Sequence, residues 1–372
     1  MNRRDKLSPF IVMDILSEAQ RYDDVIHLEI GEPDLDPPPR VLEALERAVK
    51  DRKYFYTPAL GLRELREKVA EFYHVKYGVD ISPDRVAITT GTSGAFLIAY
   101  SVVLNAGDKI ALADPSYPCY KNFAHLLDVN PLFVSVSKDT NYEIRPEHLE
   151  GKKIKAVHVS SPSNPTGTVY SEESLRSLAE FCEREGIYLI SDEIYHGLVY
   201  DGKEHTALEF SDRAIVINGF SKYFCMPGFR IGWMVLPQEL VRPAEIVIQN
   251  VFISAPTLSQ YSALEAFDYQ YLDRVRTIFK ERRDLLYSGI KELLPVDASP
   301  QGAFYLWADV SRYSDDSYDF SLRLLREAKV AVTPGVDFGK NNTNRYIRLA
   351  YTRDKRELEE AVVRIKKFIS RL

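Results

Sequence analysis

KAVHVSSPSNPTGTVYSEESLRSLAEFCEREGIYLISDEIY, residues 155–195, decides the fold class. Two short apolar runs, KAVHVSS and IYLISD, flank a stretch with helical spacing. Ser171 precedes two acids suited to a helix N-terminus. Leu175, Leu178, Ala179 and Cys182 fall on one face, and Gly186 supplies the stop. Strand, helix and strand in that order form the repeating unit of a parallel sheet. Outward from this unit the alternation continues, with VAITT, KIALAD and PLFVSV before it and AIVINGF and IGWMVL after it. These runs predict a large α/β domain with a mostly parallel sheet flanked by helices.

The flanks read differently. From about Pro256 to Leu294 the chain is rich in helix formers and charges with no internal proline, which predicts one or two long helices leaving the sheet. GAFYLWADV, SYDFSLRLLREAKV, VAVTP, NRYIRLAYT and an amphipathic stretch from Lys355 then predict a smaller α+β domain. The amino-terminal segment, with PDLDPPP, is too short to fold alone and is expected to rest on that domain. The divisions are 1–40 for this segment, 41–275 for the large domain and 276–372 for the small one.

Composition sets the broad class. Of 372 residues, 45% are hydrophobic and 27% charged, the balance of an ordinary globular chain, so disordered and low-complexity classes drop out. The formal charge of −6 gives no basic footprint for nucleic acid or an anionic membrane, and neither partner is expected. The uncharged stretch 86–107 is long enough to span a bilayer, but its TTGTSG reads as strand, loop and helix start. Cys119, Cys182 and Cys225 are scattered and odd in number, which fits a reducing cytoplasm. No secretory pattern opens the chain, and the seven histidines show no metal-ligand spacing, so no metal is expected.

Open α/β sheets bind ligands beyond the carboxyl ends of their strands, so polar residues there are the candidates. Gly91-Thr92-Ser93-Gly94 follows VAITT and fits either a phosphate cradle at a helix N-terminus or a plain helix start. It matches neither the dinucleotide-binding nor the P-loop spacing. Asn164 in PSNPTG sits at a strand end, in a rigid turn or aimed at a ligand oxygen. The state of its bond to Pro165 stays open. Asp192, with Tyr195 three residues on, is a cap or a charge facing the crevice.

The sharpest feature is AIVINGF-Ser221-Lys222-YFCMPGF-Arg230-IGWMVL. Lys222 and Arg230 are the sole cations between Ala214 and Leu236, and charges embedded in apolar sequence need partners. A lysine of depressed pKa condenses with an aldehyde, and an arginine clamps a phosphate. An aldehyde bearing a phosphate is pyridoxal 5'-phosphate (PLP). That cofactor also wants an acid at its ring nitrogen (Asp192), donors at its phenolate (Asn164, Tyr195) and an aromatic face, which Tyr117 in DPSYPCY offers.

The constellation resembles the fold-type I PLP enzymes of the class I/II aminotransferase family, in particular its aspartate aminotransferase-like members. Tyr56, Gly61, Leu65 and Arg66, then GTSGA, DPSY, SPSNPTG, SDEIY, GFSK, GFRIGW, GAFYLW and RLAY follow the family's order over nearly the whole chain. The resemblance implies the PLP-dependent transferase fold, with Lys222 as the imine-forming lysine and proton shuttle. It puts Asp192 on the pyridine nitrogen, and Asn164 and Tyr195 on the phenolate. The phosphate falls to Arg230, Ser221 and the Thr92 and Ser93 amides, and Tyr117 stacks on the ring. Tyr56 resembles the tyrosine that reaches a neighbouring subunit's phosphate, which implies a homodimer with shared active sites. Arg348 matches the arginine that grips the substrate α-carboxylate, helped by Asn164 and the Gly31 backbone.

The implied activity moves the amino group of an L-amino acid to a 2-oxo acid such as 2-oxoglutarate by a ping-pong route. Aspartate or glutamate is the first expectation, and aromatic or alanine-type substrates, or a carbon–sulfur β-lyase reaction, are the alternatives. Three departures bear on the aspartate reading. Tyr117 stands where many aspartate enzymes have tryptophan, Asn250 where one subgroup has a partner-subunit arginine, and Ser93 where some members have lysine.

Overall fold

The computed structural model describes residues 3–372. Among them the strands are β1 (Ile26–His27), β2 (Val86–Thr89), β3 (Lys109–Asp114), β4 (Asn130–Ser135), β5 (Ala156–Ser160) and β6 (Tyr188–Asp192). They continue with β7 (Ile215–Gly219), β8 (Gly232–Val235), β9 (Tyr305–Asp309), β10 (Val330–Ala331), β11 (Thr333–Pro334) and β12 (Tyr346–Ala350). Seven form the large sheet in the order β2-β8-β7-β6-β5-β3-β4. All seven apolar runs noted from residue 86 onward are its strands. Neighbours from β7 to β4 pair in parallel, whereas β8 runs antiparallel to both β7 and β2. The sheet is mixed at that edge.

Alternation along the strands explains how both faces are buried. Val86 and Ile88, Ala111, Val157 and Val216 point into one apolar cluster, and Ala87, Ile110, Leu112, Ala156, Ile215 and Ile217 into a second. Helices cover each face, Arg63–Tyr77 and Glu172–Glu185 on the first, Gly91–Val103 and Gln238–Val251 on the second. Double burial is why the strands read as nearly continuous apolar runs. The Ser171 side chain accepts the Ser174 N–H at the start of Glu172–Glu185. That helix buries Leu175, Leu178, Ala179 and Cys182, and ends at Gly186, whose φ of 66° is left-handed. Residues 86–107 form β2 and a core helix, and no described helix is long and apolar enough to cross a membrane.

The stretch from 256 forms two helices, Thr257–Ala263 and Tyr269–Ile290, the second capped by Asp268. The longer one leads into a smaller, β-rich domain whose three strands pair antiparallel in the order β11-β12-β9. The amino-terminal segment lies against it. β1 pairs in parallel with β10, and the helix Val12–Ala19 is held at its start by Asp337, whose two carboxylate oxygens accept the N–H groups of Ile11 and Val12 at 2.9 and 3.2 Å.

Candidate active site

Parallel strands bring their carboxyl ends to one edge, and the loops leaving β3, β5, β6 and β7 deliver Tyr117, Asn164, Asp192 with Tyr195, and Ser221 with Lys222 to it. β8 runs the other way, so its amino end, just after Arg230, reaches the same edge, as the pairing of Gly219 with Gly232 shows. The small domain adds Arg348 from β12 and Tyr305 from β9. Apart from Ser221 and Arg230, these residues together line a cavity of about 400 Å³, with Thr92 and Gly31 in its wall. A second recess shares Lys222, Thr92 and Tyr117 with the first and continues to Ser93, Ser221 and Arg230.

Lys222 is the amine at the junction. Its Nζ donates to the Gly31 carbonyl at 2.6 Å. Burial lowers its pKa to about 8, helped by the positive charges of Arg348 and Arg230 and opposed by Glu32 and Asp192. A substantial free-base fraction near neutrality is what a nucleophilic lysine needs.

Asp192 ends β6 on the cavity floor and is 3% exposed. Burial raises its pKa to about 6, against the pull of the Tyr120 hydroxyl, which donates to Oδ2 at 2.5 Å, and the Ile194 N–H, which donates to Oδ1 at 3.1 Å. Beneath Tyr120 lies the His158 ring, 4.0 Å between centroids, its pKa pushed down to about 3 by burial and so neutral. A buried carboxylate held by neutral hydrogen-bond donors, with no direct ion pair, suits a cationic ring nitrogen.

Arg348 crosses from the small domain. It donates to Asn164 Oδ1 at 2.9 Å, the Glu29 carbonyl at 2.7 Å and Thr333 Oγ1 at 3.2 Å, all neutral groups. Its guanidinium carbon lies 4.4 Å from the Tyr305 ring centroid and 4.9 Å from that of Phe338. Its Nε is buried without a partner. A buried cation whose hydrogen-bond partners are all neutral and which keeps an unused donor is arranged for an incoming anion. Tyr195 and Tyr305 share a hydrogen bond of 2.7 Å between hydroxyls, and burial raises the Tyr195 pKa.

At the other end, Gly91 opens the helix Gly91–Val103 with φ of 64°. A Cβ there would stand 2.6 Å from Arg230 Nη2, so the guanidinium occupies the space that the missing side chain leaves. Helix N-terminal amides, an arginine fork and the Ser221 hydroxyl make an anion cradle. The donor set therefore fits PLP: a cradle for its phosphate, an amine for its aldehyde, an acid for its ring nitrogen and Tyr117 at the cavity wall for its ring.

The family model described as aminotransferase class I and II matches residues 23–365. The chain belongs to this family of PLP-dependent aminotransferases. It is 40% identical over 372 residues to the (5-formylfuran-3-yl)methyl phosphate transaminase of Methanocaldococcus jannaschii, covering 97% of each chain. It is 37% identical over 375 residues to the valine–pyruvate aminotransferase of Mycobacterium tuberculosis, covering 97% of this chain and 96% of that one. A crystal structure of an aminotransferase from Mycobacterium tuberculosis superposes with a TM-score of 0.96 at 36% identity, over 100% of this chain and 99% of the other.

Of the residues singled out by sequence, Lys222, Asp192, Tyr195, Asn164, Tyr117, Thr92, Gly31 and Arg348 border the main cavity of this aminotransferase, and Ser93, Ser221 and Arg230 its side recess. Tyr56 is not brought in. It is 80% exposed, outside both linings. The Gly31 carbonyl faces Lys222, while the carbonyl that meets Arg348 belongs to Glu29. Sequence reasoning missed Tyr120, Tyr305, Thr333, Phe338 and the face of Val12–Ala19. Tyr120 and Tyr305 stand inside the quoted motifs DPSYPCY and GAFYLW, yet only the tertiary approach gives them partners.

Proposed function

We propose that this aminotransferase moves the amino group of an L-amino acid to a 2-oxo acid in two successive half-reactions on PLP anchored at Lys222. The observation that carries this reading is the placement of the depressed Lys222 amine and the Arg348 guanidinium in one cavity above Asp192. When bound, PLP supplies an aldehyde that condenses with amines and a ring that takes up electron density from the substrate Cα. Arg348 binds the α-carboxylate through its fork, with Asn164 fixing the fork's orientation. That grip would set the Cα–H bond toward Lys222, whose Nζ is the base placed to take the Cα proton. Asp192 holds a proton at the ring nitrogen, and Tyr120 keeps the carboxylate oriented for it. Asn164 and Tyr195, the latter steadied by Tyr305, donate to the phenolate oxygen. Arg230, Ser221 and the amides of Thr92 and Ser93 hold the phosphate.

In this reading the working form is a homodimer in which Tyr56 reaches the neighbouring phosphate. Tyr54, Phe55 and Tyr56 are exposed beside the helix Thr257–Ala263, with Val251 and Ile253 also exposed, and an apolar surface of this kind supports a protein partner. The unpaired cysteines support a cytoplasmic setting.

Borohydride reduction followed by peptide mass spectrometry tests the anchor. The pyridoxyl group should sit on Lys222, and Lys222→Ala should lose both the visible absorbance and turnover while keeping the fold. An adduct on another lysine, or absorbance retained in the variant, would overturn the reading. Stoichiometric 2-oxo acid on mixing with an amino acid separates transamination from the β-lyase alternative, which would release ammonia with pyruvate from a cysteine-type substrate.

A further inference from the structure

We infer that the substrate side-chain site of this enzyme takes apolar L-amino acids, aromatic ones included, and that the helix Val12–Ala19 supplies the wall that selects them. The inference rests on the aminotransferase reading above, with Arg348 at the α-carboxylate and Lys222 at the cofactor. Once those two ends are assigned, and Tyr117 is kept for the cofactor ring, the apolar part of the remaining wall includes Phe10, Val12, Met13, Leu16 and Phe338, beside the acids Glu29, Glu32 and Asp337. Three come from the first two turns of one helix, and Met13, though it borders the cavity, is 54% exposed. An apolar side chain at a cavity mouth gains cover when an apolar ligand lies against it.

Charge argues the same way. The cations bordering the main cavity are Lys222 and Arg348, and both are already engaged, while Arg230 borders the side recess. The acids bordering it are Glu29, Glu32, Asp192 and Asp337. Asp337 stands directly behind the selecting wall, since its oxygens receive the Ile11 and Val12 N–H groups. A second carboxylate on the substrate, or a phosphate, would be desolvated beside Asp337, where the cavity lining among the described residues offers no cation besides Arg348 and Lys222, whereas an isopropyl, isobutyl or benzyl group would meet carbon. The aspartate or glutamate preference expected from the motifs has no cationic support in this wall.

The full-length holoenzyme decides the matter in single-turnover reactions with phenylalanine, leucine and aspartate, read as loss of the cofactor's visible absorbance. Phenylalanine and leucine should react with an apparent second-order rate at least about 100-fold above that of aspartate. Binding of two unreactive acids, 3-phenylpropanoate and butanedioate, gives a readout independent of turnover, and the first should bind at least about 10-fold tighter. Met13→Arg, at an exposed position that tolerates a charge, should raise the rate with aspartate, lower it with phenylalanine and narrow the gap between the two acids. Aspartate reacting as well as phenylalanine, butanedioate binding as tightly as 3-phenylpropanoate, or a gap unmoved by Met13→Arg would each overturn the inference. If no amino acid bleaches the absorbance, the aminotransferase reading itself falls, and the binding of the two acids still decides the nature of the wall.

Discussion

Replacing Asp192 by asparagine should stabilise the cofactor-free protein at high pH while disabling the enzyme. The carboxyl is 3% exposed, and burial raises its pKa from 3.8 to about 6, which corresponds to about 3 kcal/mol of differential free energy. Because the folded carboxyl holds its proton more tightly than the unfolded one, its contribution to stability is intact below about pH 4 and is lost as pH rises through about 6. By pH 8 the ionised, buried group costs the fold the whole amount. Asparagine carries no charge and can still accept the Ile194 N–H and bond to Tyr120, though its neutral hydrogen bonds are weaker by about 1 kcal/mol. The net gain of about 2 kcal/mol at pH 8 corresponds to a rise in melting temperature of about 3 °C for a chain of this length. Thermal melts of the cofactor-free forms between pH 4.5 and 8 would read it. The variant should start level with or below the parent and overtake it as pH rises. With PLP added, the parent should gain more stability than the variant, and turnover of the variant should fall by roughly 100-fold or more. A melting difference that stays flat with pH, or a variant less stable at pH 8, would refute the account of Asp192 as a buried charge awaiting a cation.

Further outcomes follow from the same geometry. Arg348→Lys cannot reach Asn164 Oδ1 and the Glu29 carbonyl with one fork, so kcat/KM should drop by roughly 100-fold for every amino acid alike, chiefly in KM; a loss confined to one substrate would contradict its placement at the α-carboxylate. Gly91→Ala forces a side chain into left-handed backbone and against Arg230, and equilibrium titration should show PLP binding weakened by on the order of 10-fold. Gly78→Ala shares the positive φ but has open space around it, so its PLP affinity should match the parent's. PLP uptake by the cofactor-free protein, followed by absorbance, should quicken with pH up to about 8 as the Lys222 amine loses its proton, then level off.

Much of this molecule is legible in its sequence, for identifiable reasons. Seven strands buried on both faces leave seven apolar runs, and the helix Glu172–Glu185 announces itself through Ser171 and Gly186. Strand direction is another matter. IGWMVL looks like its neighbours, yet β8 is antiparallel, because an apolar run records burial and not the sense of the chain. Polar residues at strand ends are findable because parallel strands put their carboxyl ends together, which is why Asn164, Asp192 and Lys222 stand out from the amino-acid pattern alone. Arg348 carries no such signal, sitting in a small-domain strand, and only resemblance points to it. Tyr120 and Tyr305 act through partners 72 and 110 residues away, Asp192 and Tyr195, and no local pattern encodes such meetings. The Asp337 clamp on Ile11 and Val12 spans most of the chain and is equally invisible there.

The tether between Asp337 and the helix Val12–Ala19 separates two kinds of inheritance. Groups proposed for the proton transfers hang from the large sheet, whereas the wall inferred to meet a substrate's variable group is drawn from the opening residues and from Phe338. Under that inference, a substitution on the opening helix would change which side chain is admitted while the strand ends, and the groups they carry, keep their places.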